Sequence, residues 1–175
     1  MALHVFISYT HDSPEHEAQM WKLCERLRKD GVECHIDLHE QSPMEGWPLW
    51  CSSQIEKADF VLVVCTETYE YRYRGEGTEG KGHGGNWEGL LIRQSIYDVR
   101  GKNRKFVPLV VSSHDKKYIP KELRGPTYYD LSQGGWYDEL FRAVRIGRLY
   151  GEVSAALMKA RKRLERDSAP SGKAM

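Results

Sequence analysis

Glu88 is a carboxylate set among aliphatic side chains, in the segment NWEGLLIRQSIYDV. At about 100° per residue, Leu91, Ile92, Ser95, Ile96 and Val99 fall with it inside one helical arc of about 140°. An acid on an apolar face is either desolvated, with a raised pKa, or held by a partner, and both conditions suit catalysis. The plainer reading is a first-turn glutamate favoured by the positive end of the helix dipole. The residues alone leave both open.

Other groups with usable chemistry gather at the ends of apolar segments. Ser8, Tyr9 and Thr10 follow the first such segment, Asp37 and His39 the second, and Thr66 the third. In an open parallel sheet these positions share the carboxyl edge, where ligands bind. Trp47 and Trp50 are either core or loop anchors or a stacking platform for an aromatic ring. The loop GEGTEGKGHGG contains a literal GxGxxG at Gly75, Gly77 and Gly80. It neither follows its strand directly nor opens a helix tightly, and Glu76 and Glu79 would repel a pyrophosphate. A flap is expected there, with Lys81 and His83 as potential phosphate contacts. No GxSxG, HExxH or P-loop occurs. Cys34, His35 and His39 are close in sequence, but strand alternation turns Cys34 and His35 to opposite faces, so no metal site is expected. The four cysteines, Cys24, Cys34, Cys51 and Cys65, form no CxxC pair and read as small buried hydrophobes in a reducing compartment.

The elements that must position these groups alternate between strand and helix. His4 to Tyr9 is an opening strand. Ser13-Pro14-Glu15 starts a helix by N-cap, first-turn proline and dipole-matched acid. Its apolar stripe is Met20, Trp21, Leu23, Cys24 and Leu27, and Gly31 stops it. Val32 to Asp37 is a second strand, followed by a polar loop over 38–46 and a short helix opened by Trp47-Pro48. Asp59 to Cys65 and Lys105 to Val111 are apolar at nearly every position, as strands covered on both faces are. Residues 72–86 read as a Gly-rich loop and Trp87 to Val99 as a helix. Thr127 to Leu131 is an edge strand, and Trp136 to Arg148 a further helix. The expected fold is α/β and flavodoxin-like: a five-stranded parallel sheet in the order 2-1-3-4-5 with helices on both faces. One domain is expected over 1–148, then a basic helix over 149–167 and a flexible tail or linker over 168–175.

At 175 residues, with 40% hydrophobic and 29% charged positions, the composition is that of one globular domain. A net charge of +1 gives no electrostatic reason to expect nucleic acid. No apolar run approaches the roughly 20 residues that span a bilayer. The opening Met-Ala-Leu-His-Val-Phe lacks a basic n-region, so a cytoplasmic location is expected.

With these elements placed, FISYTHDSPEH resembles the first box of Toll/interleukin-receptor (TIR) and SEFIR domains. LRKDGVECHID with its Trp-containing loop resembles their second strand and BB loop. ADFVLVVCTETY resembles the third strand, and NRKFVPLVV with YIPKELRG the fourth and its following loop. The likeness spans residues 3–148 and is nearest to the SEFIR-type branch. It implies one of two functions. Some members cleave the nicotinamide–ribose bond of NAD with a glutamate early in the helix after the third strand, in immune or cell-death signalling. Others are non-catalytic adaptors that work by homotypic assembly. For the enzyme, the resemblance implies Glu88 as the catalytic residue and NAD as substrate, with no separate cofactor. Phe6 and Ser8 would line the nicotinamide–ribose pocket and the 38–46 loop would border it. Tyr9, Asp37, Trp50 and Trp87 complete the expected substrate-binding set. The pattern departs from Trp-x-x-x-Glu, because Trp87 directly precedes Glu88. An ungapped alignment backward from Val107-Pro108 places Ser95 at the catalytic position instead.

Overall fold

In the computed structural model, the described residues are 2–76, 89, 91–94, 105–125, 127–147 and 159. Five strands form one parallel sheet in the order β2-β1-β3-β4-β5. These are β1 (Leu3–Ser8), β2 (Val32–His35), β3 (Phe60–Val64), β4 (Phe106–Val110) and β5 (Tyr129–Asp130). The order and the parallel sense agree with the expectation from the sequence. The register sets Val5 beside Cys34 and Phe60, Ser8 beside Val63, and Val63 beside Pro108.

β3 shows why the sheet is covered on both faces. All five of its residues are buried, and alternation divides them between two cores. Phe60, Leu62 and Val64 join Val5, Ile7 and Tyr9 on the face packed by α1 (Pro14–Lys29) and by the helix over 136–147. Val61, Val63 and Cys65 join Phe6 on the opposite face, under α2 (Trp47–Lys57) and α3 (Glu67–Tyr73). All four cysteines are buried and none forms a disulfide, and burial pushes the Cys65 thiol up.

Local signals set the helix ends. Ser13 caps α1 by accepting from the His16 N–H at 3.2 Å, with Pro14 in the first turn. Gly31, at φ 85°, carries the chain out of the helix, a conformation costly for residues with a Cβ. The α1 core stripe is His16, Met20, Leu23, Cys24 and Leu27. Trp21 departs from expectation: it is 39% exposed and packs edge-on against the His39 ring at 4.5 Å. Helical geometry turns it about 100° away from Met20, off the buried stripe.

Other boundaries also differ. β2 ends at His35, and Asp37, expected as the last residue of the strand, instead opens a 3-10 turn over Asp37–His39. Residues 72 and 73 belong to α3, which the Gly-rich character of the following loop had masked. Thr66 supplies its cap, accepting from the Tyr69 N–H at 3.2 Å. The expected flap over 77–86, the helix start at Trp87 and the C-terminal helix and tail lie outside the described residues, save Lys159. Among the described residues, no helix is long and apolar enough to cross a membrane.

Truncating the sheet centre tests this account. Leu62→Ala removes a side chain that is 1% exposed, between β1 and β4. Denaturant unfolding should show a loss of about 2–5 kcal/mol with an unchanged slope.

Candidate functional site

The turning point of the sheet lies between β1 and β3, because the chain steps outward to β2 on one side and to β4 and β5 on the other. Such a switch point opens a crevice at the carboxyl ends of the two strands. Two hydroxyl pairs bridge it. The Ser8 hydroxyl meets the Tyr69 hydroxyl at 2.9 Å in a buried contact. The Thr10 hydroxyl meets that of Thr66 at 3.2 Å. Ser8 and Thr10 are each 1% exposed. Four hydroxyls thus converge at one strand edge, and that of Thr66 also caps α3.

Strand alternation sorts the residues expected to bind substrate. Phe6 and Ser8 share the α2/α3 face. Phe6 meets Trp50 edge-on, with ring centroids 5.9 Å apart, and Trp50 in turn meets Trp47 at 5.6 Å. Trp50 is buried while Trp47 is 39% exposed. Phe6, Ser8 and Trp50 are therefore brought to one face.

Tyr9 and Asp37 are gathered by a different residue, His11. Tyr9 lies on the α1 face, its ring 5.0 Å from that of His11 and 5.8 Å from that of His16. The His11 imidazole reaches Asp37 Oδ2 from Nε2 at 2.6 Å and Glu17 Oε1 from Nδ1 at 3.0 Å. Hydrogen bonding to Asp37 is the main reason the His11 pKa is raised to about 9, with desolvation opposing it and the Asp37 and Glu17 charges adding to it. The imidazolium therefore prevails at neutral pH and ties the end of β1 to α1 and to the turn after β2. Asp37 Oδ1 is buried and has no hydrogen-bond partner among the described residues. Burial lowers the pKa of the neighbouring His16.

Glu88, Trp87 and Ser95 lie outside the described residues. Their described neighbours pack against α3. A Cβ placed on Gly89 would stand 2.7 Å from Tyr73 Cα, so only glycine permits this approach. The Arg93 guanidinium lies over the Tyr73 ring, 4.9 Å from its centroid, and Nη2 donates to the Tyr73 carbonyl. Ile92 is fully buried in the same core as Phe6 and Trp50. Tyr73 is one helical turn beyond Tyr69, so the segment containing Gly89 and Ile92 abuts the helix that lines the crevice. Burial, first, and the Glu122 charge push the Tyr73 phenol up to about 12.

Sequence reading named Ser8, Thr10 and Thr66 at this edge but missed Tyr69 and His11. Tyr69 was findable from its cap: Thr66 three positions earlier starts a helix whose third residue turns back to the strand end. His11 carried no such signal, since its partners are 6 and 26 residues away. His4, Glu33 and His35 form a further cluster, with ligand-capable atoms all within 4.8 Å of one another. The alternation of Glu33 and His35 along β2 hinted at half of it, but His4 joins them only through strand register.

Known proteins match this architecture. The sequence profile of the SEFIR domain fits residues 3–134. The crystal structure of a prokaryotic SEFIR domain superposes with a TM-score of 0.62 at 25% identity, covering 82% of this chain and 99% of that one. No curated protein matches the chain by sequence.

The His11 bridge carries a defined pH signature. Its folded pKa of about 9 exceeds the ordinary 6.5. The stabilisation is therefore complete below about pH 6.5 and lost as pH rises through about 9. The His11 and Asp37 side chains are 44% and 24% exposed, so solvent screening limits the effect to about 0.5–1 kcal/mol. Denaturation midpoints should fall across that window, and His11→Gln should flatten the decline.

Proposed function

The chain belongs to the SEFIR family of TIR-like signalling domains, and on that premise we propose that it cleaves the nicotinamide–ribose bond of NAD and is activated by self-assembly. The observation that carries this reading is the pair of hydroxyl contacts at the β1/β3 switch point, Ser8 with Tyr69 in a buried contact and Thr10 with Thr66 in a half-buried one. A crevice there suits a polar, hydroxyl-rich ligand such as a nucleotide ribose. Glu88 is the proposed catalytic residue, in the segment whose neighbours Gly89 and Ile92 pack beside α3. Trp50 and Trp87 offer aromatic surface, and Phe6 the apolar wall.

The chemistry asks little of the protein. Loss of nicotinamide passes through an oxocarbenium-like state, as glycoside hydrolysis does. One carboxylate beside the ribose stabilises the developing positive charge. Nicotinamide leaves readily, so no strong general acid is needed. Phe6 and Ser8 are covered by Trp50 and Tyr69, so substrate entry requires these side chains to yield. An assembly-driven rearrangement would supply that opening and make the isolated domain weakly active.

A second reading, a non-catalytic adaptor working only by homotypic contacts, is favoured by a different surface. SEFIR domains mediate homotypic interactions. Around the 38–46 loop, Met44 is fully exposed and Leu49 is 61% exposed, with Leu38 and Trp47 partly so. A group of apolar side chains on one loop and the adjoining helix is a natural contact surface.

Incubating concentrated protein with NAD and following free nicotinamide separates the two. The enzyme reading expects release that falls by about 10²-fold or more in Glu88→Gln, with thermal stability equal or slightly higher. Absence of release at every protein concentration, including in crowding agent, leaves the adaptor.

Assembly is tested separately. Met44→Asp should reduce the oligomer seen by light scattering without lowering the melting temperature, because the side chain touches no core. Unchanged assembly would move the contact to another surface.

A further inference from the structure

On the face of the sheet beneath α2, a groove of about 350 Å³ runs over β1 and β2, lined by His4, Phe6, Glu33, His35, Gln54 and Lys57 among others. β2 stands at the edge of the described sheet. Strand pairing sets His4 beside Glu33 and Phe6 beside His35, and alternation turns His4, Glu33 and His35 to the same face. The two imidazoles flank one carboxylate. His4 Nε2 is 3.5 Å from Glu33 Oε2, and His35 Nε2 is 3.5 Å from Glu33 Oε1.

These separations are long for hydrogen bonds, whose N–H···O distances run to about 3.2 Å. They match another geometry. Ligands bonded to zinc at about 2.0–2.1 Å at tetrahedral corners stand about 3.3 Å apart. All three donor groups lie within 4.8 Å of one another, so small side-chain rotations would close them on a common centre. The side chains are 37–48% exposed, which leaves a path for an ion and room for those rotations.

We propose that His4, Glu33 and His35 form a three-ligand site for a zinc-class divalent transition-metal ion, with a fourth position open toward the groove. The donor set selects the ion class. Two imidazoles and one carboxylate suit zinc and its transition-metal neighbours, whereas calcium and magnesium want oxygen donors. The Lys57 ammonium on the groove wall opposes any cation held by charge alone, which leaves coordination by neutral imidazole nitrogen as the source of affinity. Gln54 also lines the groove. The site pins edge strand β2 to β1 on a face that α2 leaves open, so occupancy stabilises the fold. None of its three ligands belongs to the carboxyl-edge crevice, although Phe6 borders both, and the site does not depend on the reading given to that crevice.

The test uses the full chain without an affinity tag. Calorimetric titration with zinc chloride should show one equivalent bound, with a dissociation constant on the order of micromolar, and saturation should raise the melting temperature. Cobalt chloride should give the visible absorption of tetrahedral cobalt without a thiolate charge-transfer band. His4→Gln and His35→Gln should each weaken binding by about tenfold or more while leaving the metal-free melting temperature unchanged, which rules out misfolding as the cause. Glu33→Gln should act in the same direction. No stoichiometric uptake overturns the proposal. So does uptake that persists in the double histidine variant, or a cobalt spectrum with thiolate bands, which would place the ion on cysteine.

Discussion

Burial of β3 on both faces is the constraint on which the rest of this structure depends. A five-residue strand with every side chain excluded from water must have a packed layer above and below it. Alternation then commits Leu62 and Val64 to the α1 side and Val61 and Val63 to the α2 side, so one short segment nucleates two cores. Parallel pairing to β1 and β4 follows, since each crossover helix must return the chain to the same edge. The same arrangement sends every strand's carboxyl end to one side of the molecule.

That geometry explains why polar chemistry collects where it does. Past the last apolar residue of β1, the chain passes into the crevice where the strand order reverses. The residues there can be polar without disturbing either core. Ser8 and Thr10 use that freedom on the α2/α3 side, meeting hydroxyls delivered by the cap and first turn of α3. Tyr9, between them, points to the α1 side and meets His11 and His16. A stretch of three residues thus serves two environments, one hydroxyl-rich and one ionic. The imidazolium of His11 locks the second, joining α1 to the turn after β2 through Glu17 and Asp37.

The edge strand shows the complementary case. Among the described residues β2 pairs with β1 alone, and its Glu33 and His35 line an open groove on the α2 side. Its outward positions therefore carry Glu33 and His35 rather than aliphatic residues, while Val32 and Cys34 face the α1 core. The contrast between β2 and β3 is a contrast in coverage. Where a helix seals the face the residues are mostly apolar, and where it does not they are polar and half-exposed.

Much of the fold was legible in the sequence. The continuous apolar character of Phe60–Val64 and of Phe106–Val110 announced a parallel sheet, and Ser13-Pro14 announced the start of α1 to the residue. The strand order followed from these with the handedness rule. Local signals erred where two readings shared one pattern. Trp21 looked like core but sits about 100° off the buried stripe, and α3 was hidden by the glycines that follow it. What the sequence could not contain was proximity across long loops. Ser8 and Tyr69 are separated by 61 residues, and His11 and Asp37 by 26. His4 lies beside Glu33 and His35 only because β1 and β2 pair in one register out of several. Periodicity tells each residue which face it takes, since that depends on its immediate neighbours along the chain. Which residue stands opposite is decided by how two separate elements align, and only the packing of both cores settles that.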